Sequence, residues 1–246
     1  MTTRSLVSIL FAILFACGAV WAQNEEVIDF EPDYLFNGLS GSIWHVDLAE
    51  LNVALEDAGY SALPSFVPLY GQDSAFGNID GARFGFSVDY GSTGSHLGER
   101  RAELKFTLGA GVVEFGTSSG SASSIAFGLS LGAGFSVLTL VDHLPATFED
   151  ALVTPFRAKL ERWLYTVEPF LSAQGMPFDW LDLDLRVGWL LAFGCRWVAD
   201  SAGLEFPSEV LGGAIAKASF QIHLESLTAG LTPDAEAAPV SAPLSP

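Results

Sequence analysis

"SIAFGLSLGAGFSVLTLV", residues Ser124–Val141, carries no charged side chain over eighteen positions, the length and composition of a membrane-spanning helix. Separating alternate residues changes that reading. Ile125, Phe127, Leu129, Leu131, Phe135 and Val137 fall on one side; Ala126, Gly128, Ser130, Gly132, Gly134 and Ser136 fall on the other. A period of two belongs to a β-strand. A helix would scatter the glycines around its circumference, each costing about 1 kcal/mol relative to Ala.

The same alternation recurs along the chain. Phe84, Phe86, Val88 and Tyr90 alternate with Arg83, Gly85, Ser87 and Asp89, and Leu104, Phe106 and Leu108 with Glu103, Lys105 and Thr107. Leu181 to Phe193 alternates with Asp182, Asp184, Arg186 and Gly188, and Phe220, Ile222 and Leu224 with Ser219, Gln221 and His223. Weaker runs at Leu39–Asp47, Gln72–Ile79 and Trp163–Ala173 bring the expected number to eight strands. The links after the second, fourth and sixth are short (Asp80-Gly81, Thr117–Ala122, Gln174–Phe178), and the others are longer. Two long links have helical spacing. Asp47 and Glu50 resemble a capping box ahead of Leu48, Leu51 and Leu55, with Gly59 as the stop; Leu152, Phe156 and Leu160 repeat likewise behind Pro155. Strand, helical link and three strands thus occur twice, a weak internal duplication. The expected fold is all-β: an antiparallel up-and-down barrel of about eight strands, eight to ten, with one or two short helices in long links.

Residues 1–22 read as a secretory signal, with Arg4, an apolar run from Leu6 to Val20, and Val20-Trp21-Ala22 ahead of a new N-terminus at Gln23. Lipoprotein processing at Cys17 is the competing reading, opposed by the bulk of Phe15. The remaining expected organisation is an N-terminal extension over 23–38, a barrel domain over 39–226, and an Ala/Pro-rich disordered tail over 227–246. The chain carries 11 basic and 29 acidic residues, net −18; loss of Arg4 leaves ten against 29, net −19. Such a surface repels nucleic acid. Without Cys17, Cys195 has no disulfide partner.

Alternation does not say which face points inward. A soluble barrel would carry Lys, Glu and Thr outside. Here the face opposite the large apolar residues is Gly, Ser and Ala in the fifth strand, with Gly109 and Gly111 in the fourth, suited to the inside of a narrow barrel. The leader, the eight strands and the link asymmetry resemble small bacterial outer-membrane β-barrel proteins over roughly Leu39–Leu224. "DLAELNVALEDAGYSAL" (Asp47–Leu63) is similar to segments of poorly characterised secreted bacterial proteins. One departure is that "ASFQIHLES" runs into a polar tail, where such barrels end on an aromatic residue.

The resemblance implies an exported outer-membrane barrel in contact with outer-membrane lipid in a Gram-negative-type bacterium. Its expected role is structural or binding, without enzymatic activity, cofactor or metal. Two alternatives stay open: a soluble periplasmic barrel around an apolar small molecule, and a lipid-modifying enzyme using a residue such as His143. Arg83, Lys105, Asp182, Asp184 and Arg186 are expected to form a polar network in the lumen. Gly116 to Gly120 matches G-x-S-x-G, but a strand follows it where a nucleophile elbow needs a helix. His45, His96, His143 and His223 are dispersed, with no metal-site spacing.

Overall fold

The computed structural model describes residues 34–118, 123–142, 157–199, 202–204 and 210–223. The strands are β1 (Tyr34–His45), β2 (Phe66–Gly77), β3 (Ala82–Leu97), β4 (Arg100–Ser118), β5 (Ser123–Val141), β6 (Arg157–Phe178), β7 (Leu181–Gly194), β8 (Trp197–Ala199), β9 (Ala202–Leu204) and β10 (Val210–Ile222). A single described helix, α1 (Ala49–Asp57), lies between β1 and β2. All pairings are antiparallel. Strands β1 to β7 and β10 close into an eight-membered ring through β5–β6 and β1–β10. The hairpin β8–β9 hangs on β6, where Glu161 faces Val198.

Following Cα partners once around the ring gives the shape. The path runs Tyr34, Gly77, Arg83, Glu114, Gly128, Phe170, Gly188, Ile215 and back to β1 at Trp44, ten positions beyond Tyr34. Ten residues at about 3.3 Å set against eight strands at about 4.8 Å apart tilt the strands by roughly 40°. The seam between β1 and β10 has the shortest ladder in the ring, six partners against nineteen for β5–β6.

Short turns gather at one end, here the turn end. Asn78–Gly81 connects β2 to β3 and Asp179-Trp180 connects β6 to β7. The opposite, link end carries α1 and the β8–β9 hairpin. Sequence and structure differ here in several places: the expected turns at Thr117–Ala122 and Gln174–Phe178 begin inside strands, since β4 runs to Ser118 and β6 to Phe178. The third link is not long: β3 and β4 both extend, leaving a tight turn at Gly98-Glu99, with Gly98 at φ +62°. β2 begins at Phe66 rather than Gln72, because Pro68 falls just outside the β2–β3 ladder and so removes no bond from it. β1 begins at Tyr34, inside the expected extension. Leu160 is a buried strand residue opposite Leu138 instead of a helical one. Leu152, Phe156, the leader and the tail lie outside the described residues. The helix itself is where expected, with Leu51 and Leu55 buried and its end before Gly59, but the capping box is not formed: Leu48 is the N-cap without a side-chain bond, and Asp47 Oδ1 accepts from the Ala49 amide at 3.0 Å in the turn ahead of the helix.

The interior divides by height. At the link end, Leu51 and Leu55 of α1 join Trp44, Leu104, Phe106, Leu138, Leu164 and Trp197 in one apolar cluster. The link is clasped by Asn52, whose side chain donates to the Leu63 carbonyl and accepts from the Leu63 amide. At the turn end the inward positions are charged and hydroxylic.

The outer face is apolar, and ten of its aromatic residues fall into two belts once the tilt is allowed for, with Tyr70, Phe86, Tyr90 and Trp189 exposed between them. Phe76, Phe84, Phe115, Phe127 and Phe220 lie toward the turn end; Phe66, Phe135, Trp163, Tyr165 and Phe193 lie toward the link end. Phe76 packs on Phe84, Phe115 stacks on Phe127, and Phe135 meets Trp163 edge to face. Phe66 and Phe76 sit ten residues apart on β2, about 33 Å along the strand and about 25 Å in height at that tilt. Among the described residues no Asp, Glu, Lys or Arg points outward between the belts.

Candidate functional site in the barrel lumen

Strand alternation carries Asp73 on β2, Arg83 and Asp89 on β3, Glu114 on β4, Glu168 on β6, Asp184 and Arg186 on β7, and Lys217 on β10 into the lumen, all buried. Arg83 is the most heavily engaged. It donates to the Asn78 carbonyl (3.2 Å), the Ile79 carbonyl (2.6 Å), Ser124 Oγ (3.0 Å) and Gln174 Oε1 (2.5 Å). It also pairs with Glu114 at 3.4 Å and lies over the Tyr34 ring at 4.5 Å. Its bonds to two carbonyls of the β2–β3 turn make it a clamp on that turn as well as a lumen charge.

Arg186 connects Asp184 (3.6 Å) to Glu114 (4.0 Å) and stacks on the Phe170 ring at 4.0 Å. Lys217 donates to Asp89 (2.8 Å) and Asp73 (3.2 Å), and Ser219 holds the other oxygen of Asp73. These side chains reach across the lumen between strands distant in sequence, so the network braces the ring from within. Three cations face five carboxylates. Tyr34 Oη, Glu168 Oε1, Asp184 Oδ1, Ser172 Oγ and Arg186 Nε have no hydrogen-bond partner among the described residues, leaving this half both polar and incompletely satisfied by them. At the mouth, Tyr34, Ser124, Gln174, Met176 and Asp182 help line a recess of about 190 Å³.

Of the five residues expected to form the network, Arg83, Asp184 and Arg186 do so through Glu114. Asp182 lies at the mouth, 2.9 Å from His223. Lys105 does not belong to it. It points outward and pairs with Glu103 at 3.1 Å, while Leu104, Phe106 and Leu108 point in. At the link end the lumen is mostly hydrocarbon around a buried cation, Arg162, which lies over the Trp197 ring at 4.5 Å and donates to Ser136 Oγ at 3.2 Å, so the apolar side of β4 is the inner one; Gly109 and Gly111 accordingly lie on the outer side. Asp73, Glu114, Glu168 and Lys217 were missed by sequence reasoning. Asp73 and Lys217 are each the lone charge of their strand, and that isolation was the available signal; Glu114 and Glu168 share their strands with four other charges each and gave none.

The G-x-S-x-G segment is structural over its described part. Gly116 leaves room for the Arg83 guanidinium, which a Cβ would strike. Ser118 donates from its amide and, at 2.9 Å, from its hydroxyl to Asp80, tying the end of β4 to the β2–β3 turn. Those two bonds hold the Asp80 carboxyl below the usual carboxylate range. Gly120 and His143 lie outside the described residues. Among the described residues, no three His, Cys, Asp or Glu side chains come together to hold a metal, and no helix is long and apolar enough to cross a membrane. Comparison with family models and with curated proteins finds no match to this chain.

Proposed function

We propose that this chain is an exported, outer-membrane-type β-barrel of a Gram-negative-type bacterium, spanning the bilayer with eight strands and serving a structural or binding role without catalysis. One observation carries this reading: a charge-free outer band about 25 Å tall between two aromatic belts, the height of a lipid-facing barrel surface. Leu35, Leu39, Ile43, Phe127 and Tyr165 are each at least 57% exposed there. A monomeric soluble protein rarely presents a continuous apolar surface beyond a few hundred Å². The charged, bridged interior argues against a soluble barrel closed around an apolar ligand, whose inner wall would be apolar throughout.

The test is membrane partition. Expressed with its leader, the chain is expected to remain with outer membranes through a high-salt wash, to need detergent for extraction, and to migrate differently in gels when unheated. Recovery in the soluble periplasmic fraction overturns the reading. Because mostly hydrocarbon fills one half of the lumen and bridging charges the other, purified protein is expected to give no sustained conductance in a planar bilayer. Stable porin-sized openings would contradict the filled lumen.

A further inference from the structure

Every Lys and Arg of the described residues that reaches solvent (Arg100, Arg101, Lys105, Arg157, Lys159 and Arg196) lies at the link end. The protein as a whole has a charge of −18, so this clustering is local and opposed to the general field. Three of these cations are matched: Arg100 with Asp142, Lys105 with Glu103, and Lys159 with Glu161. Arg101 and Arg157 have no ion-pair partner among the described residues.

The registers place those two together. His96 on β3 faces Arg101 on β4, Arg101 faces Val141 on β5, and Val141 faces Arg157 on β6, all in one cross-strand row. Neighbouring strands lie about 4.8 Å apart, so the two arginine backbones stand about 10 Å from each other across a single valine. Both line one open recess of about 640 Å³, with Ser95, His96 and Gly98 beside them and with Glu103, which Lys105 neutralises at 3.1 Å, on the side toward the membrane. A recess whose wall carries two guanidiniums with no ion-pair partner among the described residues, and a histidine, is suited to a phosphate group.

Its height narrows the choice of ligand. Arg101 lies six residues beyond Thr107 and Arg157 six beyond Trp163, in the row that contains Phe135 of the link-end belt. Six residues are about 20 Å of strand, or about 15 Å in height at the barrel's tilt. The headgroup layer of an ordinary bilayer is only about 5–7 Å thick on each side. A glycerophospholipid phosphate therefore lies level with Lys105, which stands two residues beyond Thr107 and is already neutralised by Glu103.

We infer that the Arg101–Arg157 recess binds a phosphate carried on the sugar headgroup of a glycolipid, well above the hydrocarbon boundary. This rests on the membrane-spanning reading, and the experiment separates the two. Folded full-length protein is reconstituted into phosphatidylcholine vesicles, alone or doped with a phosphorylated-oligosaccharide glycolipid, the same glycolipid dephosphorylated, or phosphatidylglycerol. Lipid retained after gentle detergent release is then measured by native mass spectrometry. The phosphorylated glycolipid is expected to be retained one to one, and roughly thirtyfold more weakly by Arg101→Ser/Arg157→Ser. Arg101→Lys/Arg157→Lys is expected to keep part of the binding. Gel mobility of unheated samples verifies that the variants fold.

Retention that ignores the headgroup phosphate, survives the double serine variant, or is matched by phosphatidylglycerol overturns the inference while the barrel reading stands. Equal occupation of the recess by inorganic phosphate, without lipid, assigns it to a soluble anion and also overturns the inference. Failure to enter pure phosphatidylcholine vesicles at all defeats the membrane reading, and the inference falls with it.

Discussion

The two halves of the lumen are lined by the same eight strands and dominated by opposite chemistry, with Arg162 the one buried cation of the described residues among the hydrocarbon of the link half. Toward the link end, Trp44, Leu104, Phe106 and Leu164 meet α1 and Trp197 as in the core of a soluble protein. Toward the turn end, Arg83, Arg186 and Lys217 span the same width to reach carboxylates. Hydrocarbon fills space without directional demands, so the link half tolerates an irregular insert such as a helix. The charged half is directional and ties specific strands together, and the loss of a single member leaves its partners stranded in a dry place.

Lys217→Met tests that asymmetry hardest. It strands Asp73 and Asp89 and is expected to cost about 3–5 kcal/mol, read from urea unfolding in vesicles. Adding Asp73→Asn and Asp89→Asn is expected to restore much of the loss. If the single variant is as stable as wild type, the turn half is not braced by its charges. In the other half, Leu104→Ala is expected to cost about 2–5 kcal/mol through the cavity it leaves, and no neutralisation elsewhere is expected to recover it.

On the outer wall, Leu131→Arg lies midway between Phe127 and Phe135 and is expected to cost about 2–4 kcal/mol. Lys105→Ala, beyond the belt, is expected to cost at most about 1 kcal/mol. Equal costs at the two positions would place the belts wrongly.

The smallest effect is at the turn between β2 and β3. Asp80 is held below its ordinary range in the folded chain, so its contribution is present above the unfolded carboxyl value, about 4, and is lost as pH falls through the lower folded value. Wild type is therefore expected to lose slightly more stability than Asp80→Ala between neutral pH and about pH 2, as compared by thermal melts. A parallel decline would remove Asp80 from the turn's support.

Alternation made most strands visible in the sequence, including the small inner face of β5 and the inward Asp184 and Arg186 of β7. It could not settle β4. Period two defines two faces without naming the inner one, and the inner chemistry here reverses partway along the strand, from Leu104, Phe106 and Leu108 to Glu114. Lys105 was misplaced for that reason. Pro68 hid the first half of β2, although the ladder beside it leaves that nitrogen unneeded. Pro169 is similar: the β6–β7 pairing passes from Val167 to Phe170 without it. Asp73 and Lys217 were legible only as solitary charges, because their meaning comes from strands that are distant in sequence and become neighbours when the ring closes.

The short β1–β10 ladder has a kinetic consequence. It joins Leu39 to Phe220, among the most distant positions in the described chain, through six partners, so its closure entropy is repaid late and by few bonds. Assembly therefore ends at this seam, and unzipping starts there. Amide protons of Gly41, Ile43, Ala216 and Ala218, which face the seam, are the ones to exchange with solvent deuterium ahead of those in β5, whose two ladders are the longest in the ring.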